Sequence, residues 1–288
     1  MDFSYKQKYL KYKNKYLQLK NQLVPDIDLI QDHGTDGSFM KWKTYNNIQK
    51  NDAFILEFDI DNKKLYYIGA MHTTDNESKT FQLIKKIIDY NPDIVLIEGI
   101  PFDNGISPDI SYFQGEGKFA VELAKARHIP YSGIETNENE ILQKLSEKYS
   151  IDDIYGFMYL RMQKYYFKTM QLSEKEMIDD FDKYTRNNLD KLFGKQEWDF
   201  NRWFLKTFNK KFKYGKNLES GAPYKNSEDI SRQISFDLST QRDISNIKNL
   251  YKFLNEYDNV LYIMGQNHVH ADIKVLENTF GKFKIIKN

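Results

Sequence analysis

Two of the chain's five histidines stand in the same local setting although they lie far apart: His72 closes Gly69-Ala-Met-His after the apolar run LYYI, and His268 closes Gly265-Gln-Asn-His after VLYIM. Two glutamates occupy similar places, Glu98 after DIVLI and Glu135 after IPYSGI. Imidazole nitrogens and carboxylate oxygens together suit zinc, manganese, iron or cobalt. A divalent ion held there would lower the pKa of a bound water and polarise a carbonyl. Without a metal, the same groups supply a general base and the carboxylate that orients it. Both routes are hydrolytic. Arg242, read as opening the helix RDISNIKNL, adds a cation that could hold an anionic group or a developing oxyanion. Gly69 and Gly265 let the backbone turn sharply beside a ligand, and Gly99 and Gly133 flank the two glutamates.

The elements that must position these residues alternate. AFILEFDI and NKKLYYIGA, separated by Asp61-Asn62, read as a hairpin or adjacent strands. ESKTFQLIKKIIDY has helical spacing at Phe81, Ile84, Ile87 and Ile88, and DIVLIEG follows as a strand. GKFAVELAKARH, IPYSGIE and NENEILQKLSEKY continue as helix, strand and helix. After them, residues 151–215 show no strand pattern and predict a helical insertion, with a lid or cleft wall as its role. STQRDISNIKNLYKFLNEY, NVLYIMG, ADIKVLENTF and KFKII then resume as helix, strand, helix and strand. The reading is an α/β domain over 50–288 with a mostly parallel sheet flanked by helices. In such a sheet the carboxyl ends of the strands share one edge, where the four polar positions would meet.

Other candidates carry less chemistry. His270, two residues past His268, would lie on the opposite face if the strand continued, which makes it structural. His33 falls in a polar loop and His128 at a helix end, both solvated. GEGKF, at Gly115 to Phe119, lacks the spacing and hydroxyl of a phosphate loop.

Residues 1–24 predict a basic amphipathic helix. Tyr5, Tyr9, Tyr12, Tyr16, Leu19 and Leu23 alternate at spacings of four and three, lysines fill other positions, and Pro25 ends the run. That helix would pack on its own domain, self-associate as a short coiled coil, or meet an anionic surface. It resembles the Tyr/Lys-rich N-terminal helix of many giant DNA virus proteins, which implies a host cytoplasm or virion setting.

The totals exclude more than they select. With 42 basic and 41 acidic side chains among 288 residues, no global field points to specific nucleic-acid binding. The absence of cysteine removes disulfides, thiolate ligands and cysteine nucleophiles, and fits a reducing compartment. No secretory signal or spanning run is present, so the expectation is a soluble, intracellular protein.

IGAMHTTDNES with IIDYNPDIVLIEG, then IPYSGIETNENEILQKL, QRDISNIKNL and VLYIMGQNHVHADIKVLEN resemble, in order, the four signatures of the TraB/Tiki family. That family belongs to a superfamily with erythromycin esterases and ChaN-like haem-binding proteins, marked by paired Gly-x-x-His motifs. The resemblance spans roughly 65–140 and 239–280. It implies that His72 and His268 are the motif histidines, Glu98 and Glu135 the motif carboxylates, and Arg242 the arginine of an Arg-Asp/Asn motif. It further implies a hydrolase of peptidase type using Mn, Co or Zn on His72, His268, Glu98 and Glu135, with a peptide or protein substrate. Two alternatives stay open: a metal-independent esterase or amidase with a motif histidine as base, and a peptide- or haem-binding protein without turnover. The 21 Tyr and 20 Phe provide aromatic surface for such binding but are spread throughout the chain.

Overall fold

The structure, a computed structural model, describes residues 52–73, 75, 77–99, 101, 115–216 and 229–286. The N-terminal helix expected over 1–24 and His33 lie outside them. The chain is α/β, with six strands in the order β4-β3-β5-β2-β1-β6. β1 (Phe54–Ile60) and β2 (Lys63–Ala70) form the expected antiparallel hairpin, with Phe54 opposite Gly69 and Ile60 opposite Lys63. Asp61 takes φ +53, the left-handed conformation that a two-residue hairpin loop needs.

β3 (Ile94–Ile97), β4 (Tyr131–Gly133) and β5 (Asn259–Gly265) are parallel to one another and to β2. β6 (Phe283–Ile286) pairs antiparallel with β1 on the other edge. The sheet is therefore mixed. Strand period alone predicts a strand but not its direction, which depends on the length and path of each connection. The hairpin needs only Asp61-Asn62 to reverse direction, whereas a helix stands between each pair of successive strands from β2 onward.

Alternate strand residues go to opposite faces and build two cores. Ile55, Ile68, Val95, Leu261 and Ile263 pack under α1 (Lys79–Asp89) and α2 (Gly115–Ala126). Leu56, Tyr67, Leu96, Tyr262 and Met264 pack under α8 (Ile230–Glu256) and α9 (Gln266–Phe280). β3 is buried at all four positions, which is why its sequence is a continuous apolar run rather than an alternation.

Between β4 and α8 the described residues hold helices and no strand: α3 (Glu138–Leu145), α4 (Ile151–Tyr165), α5 (Glu174–Asp180), α6 (Asn187–Phe193) and α7 (Phe200–Phe208). A π-helical turn, Tyr166–Met170, extends α4, and another, Phe181–Arg186, joins α5 to α6. Local signals set the starts. Ser173 and Glu176 form a reciprocal capping box, and Ser150 and Asp199 accept from the N–H groups of Asp153 and Arg202. A separate aromatic core, including Tyr155, Phe157, Trp203 and Phe204, is joined by Ile234 and Leu238 of α8. Gly156 is needed there because a Cβ would stand 2.3 Å from the Trp203 indole.

Two boundaries move site residues relative to expectation. α8 begins at Ile230, well before the predicted start, so Arg242 lies within the helix rather than at its opening. α9 starts at Gln266, immediately after β5, so His268 and His270 are helical and the strand-face argument for His270 does not apply. His270 is nonetheless buried, its ring packed 5.2 Å from that of Phe54, and burial lowers its pKa. His128 is exposed at φ +57 after α2. No helix among the described residues is long and apolar enough to cross a membrane.

Candidate functional site

The carboxyl ends of β2, β3, β4 and β5 are aligned by register: Ala70 pairs with Gly265, Ile97 with Ile263, and Ile97 with Gly133. His72 follows β2, Glu98 follows β3, Glu135 follows β4 and His268 rides on the first turn of α9 after β5. Backbone bonds tie the ends together, from Glu98 N to Ile263 O at 3.1 Å and from Glu135 N to Gly99 O at 2.8 Å. The structure thus brings His72, Glu98, Glu135, Arg242 and His268 to one strand edge.

Arg242 is the hub. Its Nη2 donates to Glu98 Oε1 at 2.5 Å and to His268 Nε2 at 3.1 Å. Its Nε stands 2.9 Å from Glu135 Oε1, an ion pair in which the N–H is not aligned on the oxygen. Burial alone would lower the guanidinium pKa, but Glu135 and Glu98 outweigh it and hold the cation firmly charged. The two carboxyls diverge. Burial raises Glu98, yet Arg242, His268 and the Gly265 N–H, which donates to Oε2 at 3.2 Å, bring it below the usual range. For Glu135 burial prevails over Arg242, and its pKa is raised.

Each histidine has its own carboxylate. His72 Nδ1 lies 2.5 Å from Glu116 Oε1, and His268 Nδ1 lies 2.8 Å from Asp243 Oδ1. A carboxylate only accepts, so each Nδ1 carries the proton and each neutral ring keeps its lone pair on Nε2. The two lone pairs differ in access. His268 Nε2 accepts from Arg242 inside a buried cluster, whereas His72 is largely exposed and lines an open cavity of about 200 Å³ with Glu98, Glu116, Gly117, Ile97, Ile263 and Met264. The Glu116 hydrogen bond raises the His72 pKa against the opposing effect of burial. For His268 burial lowers it, and Asp243 more than compensates.

Glu116 is the site residue that sequence reading missed, because GEGKF was weighed only as a phosphate loop. Gly115 has φ +61, and a Cβ on it would lie 2.7 Å from Thr73 O. Only glycine lets α2 begin against the segment after β2, which brings Glu116, in the helix's first turn, to His72.

The glycines of the two motifs act differently from the expectation of sharp turns, since neither has positive φ. Gly69 lies within β2, and the Phe54 ring fills its missing side chain, 2.6 Å from where a Cβ would be. Gly265, at φ −53, leaves room for the catalytic candidates themselves: its Cβ would stand 3.0 Å from His72 Nε2 and 3.6 Å from Glu98 Oε2. Gly265→Ala should therefore fold, with a stability change within about 1 kcal/mol at this permitted backbone angle, while His72 swings away from Glu98. Thermal unfolding together with NMR titration of His72 checks this: near-normal melting with the His72 titration moved to lower pH, as the Glu98 charge recedes, is the expected pair.

The divalent ion implied by the resemblance does not fit this donor set as the side chains stand. Among the described residues no three His, Asp or Glu side chains form a group able to hold a metal. Glu98, Glu135 and His268 all face the Arg242 guanidinium, a fixed cation in the space between them. An ion shared by these ligands would require Arg242 to leave, against the attraction of two carboxylates.

No protein-family model matches the chain, and no curated protein sequence matches it.

Proposed function

We propose that the chain is a hydrolase that cleaves an ester or amide bond by proton transfer through His72, within the superfamily of TraB/Tiki proteins, erythromycin esterases and ChaN-like proteins that its paired Gly-x-x-His motifs resemble. In this reading β2 to β6, which share one direction, are the parallel part of that superfamily's sheet, and β1 is a reversed strand within it. The observation that carries the proposal is the His72–Glu116 pair, an imidazole oriented by a carboxylate with its free Nε2 at an open cavity.

His72 Nε2 takes a proton from a water molecule as the water oxygen bonds to the substrate carbonyl carbon. The carbonyl π electrons move to its oxygen, and the assigned cation for that oxyanion is Arg242, which Glu98 ties to the cavity edge. Collapse of the intermediate breaks the bond to the leaving oxygen or nitrogen, which receives the proton from His72 and leaves a carboxylic acid behind. Glu98 stays ionised and anchors Arg242.

The test is hydrolysis of p-nitrophenyl acetate and of a peptide p-nitroanilide by protein purified without an affinity tag, with and without EDTA. Chelator-insensitive turnover is expected, with a rate that rises with pH through an acid limb above the ordinary histidine value of about 6.5. Loss of activity in EDTA, restored by Mn, Co or Zn, would replace this reading with the metal-dependent one. Saturable peptide binding with no product would replace it with a binding protein.

A further inference from the structure

A second cavity, of about 320 Å³, opens between the first turn of α4 and the side of α7, among residues that the proposed chemistry does not use. Opposite charges reach it from different elements. Asp152 and Asp153 come from α4, and Glu197 and Asp199 from the segment that leads into α7. Arg202 and Lys206 come from α7 itself, one turn apart on one helix face. Two of the carboxylates are occupied. Asp153 accepts from Trp203 Nε1 at 2.9 Å and from Ser150 Oγ at 2.6 Å, and Asp199 caps α7 by accepting from the Arg202 N–H. The other four charges are not. Among the described residues, Asp152, Glu197, Arg202 and Lys206 are exposed, and none of their side chains forms a hydrogen bond or an ion pair, with one another or with any neighbour.

These charges select a ligand by exclusion. Arg202 and Lys206 are like charges at i and i+4, which repel each other until an anion comes between them. A simple anion, however, would also face Asp152 and Glu197, and a simple cation would face Arg202 and Lys206. A metal ion fits no better, because among the described residues no three His, Asp or Glu side chains form a group able to hold one. A molecule that carries both charges matches both sets. Trp198 adds a further unmet group: it lines the cavity at 8% exposure, and its buried indole N–H has no acceptor among the described residues. We propose that this cavity binds a small zwitterion, of free amino acid or dipeptide size, whose carboxylate meets Arg202 and Lys206 and whose ammonium meets Asp152 and Glu197. Charge-assisted hydrogen bonds at both ends hold it, and the indoles of Trp198 and Trp203 face what lies between.

Indole ¹H–¹⁵N NMR of the full chain reads the cavity directly, because the chain has three tryptophans and two of them, Trp198 and Trp203, line it. Trp198→Phe and Trp203→Phe assign the two signals. The probes are L-alanine and L-alanyl-L-alanine, each beside its N-acetyl form, which is only an anion, and its amide, which is only a cation. Saturable shifts of the Trp198 and Trp203 signals are expected with at least one zwitterion, at a Kd of about 1 mM or tighter. Its singly charged forms are expected to bind about tenfold more weakly or worse, the loss of one charged contact. Whichever zwitterion binds more tightly distinguishes amino acid from dipeptide. The double variants Arg202→Gln/Lys206→Gln and Asp152→Asn/Glu197→Gln change exposed side chains and should melt as the wild type does, yet each should weaken binding about tenfold or more. The site is refuted by the absence of a saturable shift with both zwitterions, by equal binding of the singly charged forms, or by unchanged affinity in either double variant. None of these measurements requires turnover, so their outcome is separate from that of the hydrolase reading.

Discussion

If His72 is the base of the proposed hydrolase, His72→Ala is expected to lower kcat/KM for the activated ester by about 10²–10⁴-fold, the usual contribution of a positioned general base. The same variant melts within about 2 °C of the wild type, because the His72 side chain is largely exposed and makes one polar contact, to Glu116. The combination separates chemistry from folding. Glu116→Gln sharpens the test through its sign. Glu116 raises the His72 pKa, and a base works only when unprotonated, so the wild-type rate falls as pH drops through that raised value. Glutamine removes the charge, returns His72 toward its ordinary value and moves the acid limb to lower pH. The rate at neutral pH falls as well, since the amide no longer enforces the Nδ1–H tautomer with a negative charge. An acid limb that stays in place in Glu116→Gln would remove His72 as the titrating base.

Arg242→Met is the variant expected to cost the most stability, about 2–4 kcal/mol at neutral pH, or a fall in Tm of roughly 5–12 °C. The mechanism is the loss of the guanidinium that faces both Glu98 and Glu135, whose side chains are 29% and 17% exposed. The penalty depends on pH in a defined direction. With Arg242 present, the Glu98 pKa is depressed, so that pair stabilises the fold above the unfolded carboxyl value and the benefit is lost as pH falls through the folded value. Glu135 already sits above its ordinary value, so its ionisation opposes folding, and removing Arg242 aggravates that. Both effects vanish when the carboxyls are protonated. The difference in Tm between variant and wild type should therefore narrow from pH 7 toward pH 4, as measured by calorimetry across that range. Arg242→Lys should keep part of the stability but not the site, because a point charge cannot reach Glu98, Glu135 and His268 at once. A constant Tm difference across pH would show that packing of the side chain, not its charge, is what matters.

Much of the frame was legible because it rests on local patterns. The apolar runs of β1, β2, β3 and β5 and the helical spacing of α1 are periodicities that any short window displays. The placement of His72, Glu98, Glu135 and His268 after apolar runs was legible for the same reason. Sheet direction was not, since β6 and β1 could pair either way until the path of the chain was known. The start of α8 was hidden too: its first turns, ISRQISFD, are polar enough on the surface to read as loop, yet Ile234 and Leu238 are buried against the aromatic core of α4 to α7. Glu116 escaped because its meaning depends on Thr73, some forty residues earlier, where Gly115 lets two backbones touch.

The sequence by itself determined which residue types could do the chemistry and that each follows a buried strand, since both follow from composition and short-range period. Only the tertiary structure decided what those groups do to one another. It set Arg242 between two glutamates and a histidine, gave His72 its partner in Glu116 and gave His268 its partner in Asp243. Protonation state and ligand capacity are properties of neighbours brought together by folding, and Coulomb attraction and desolvation act over a few ångströms of space, not along the chain.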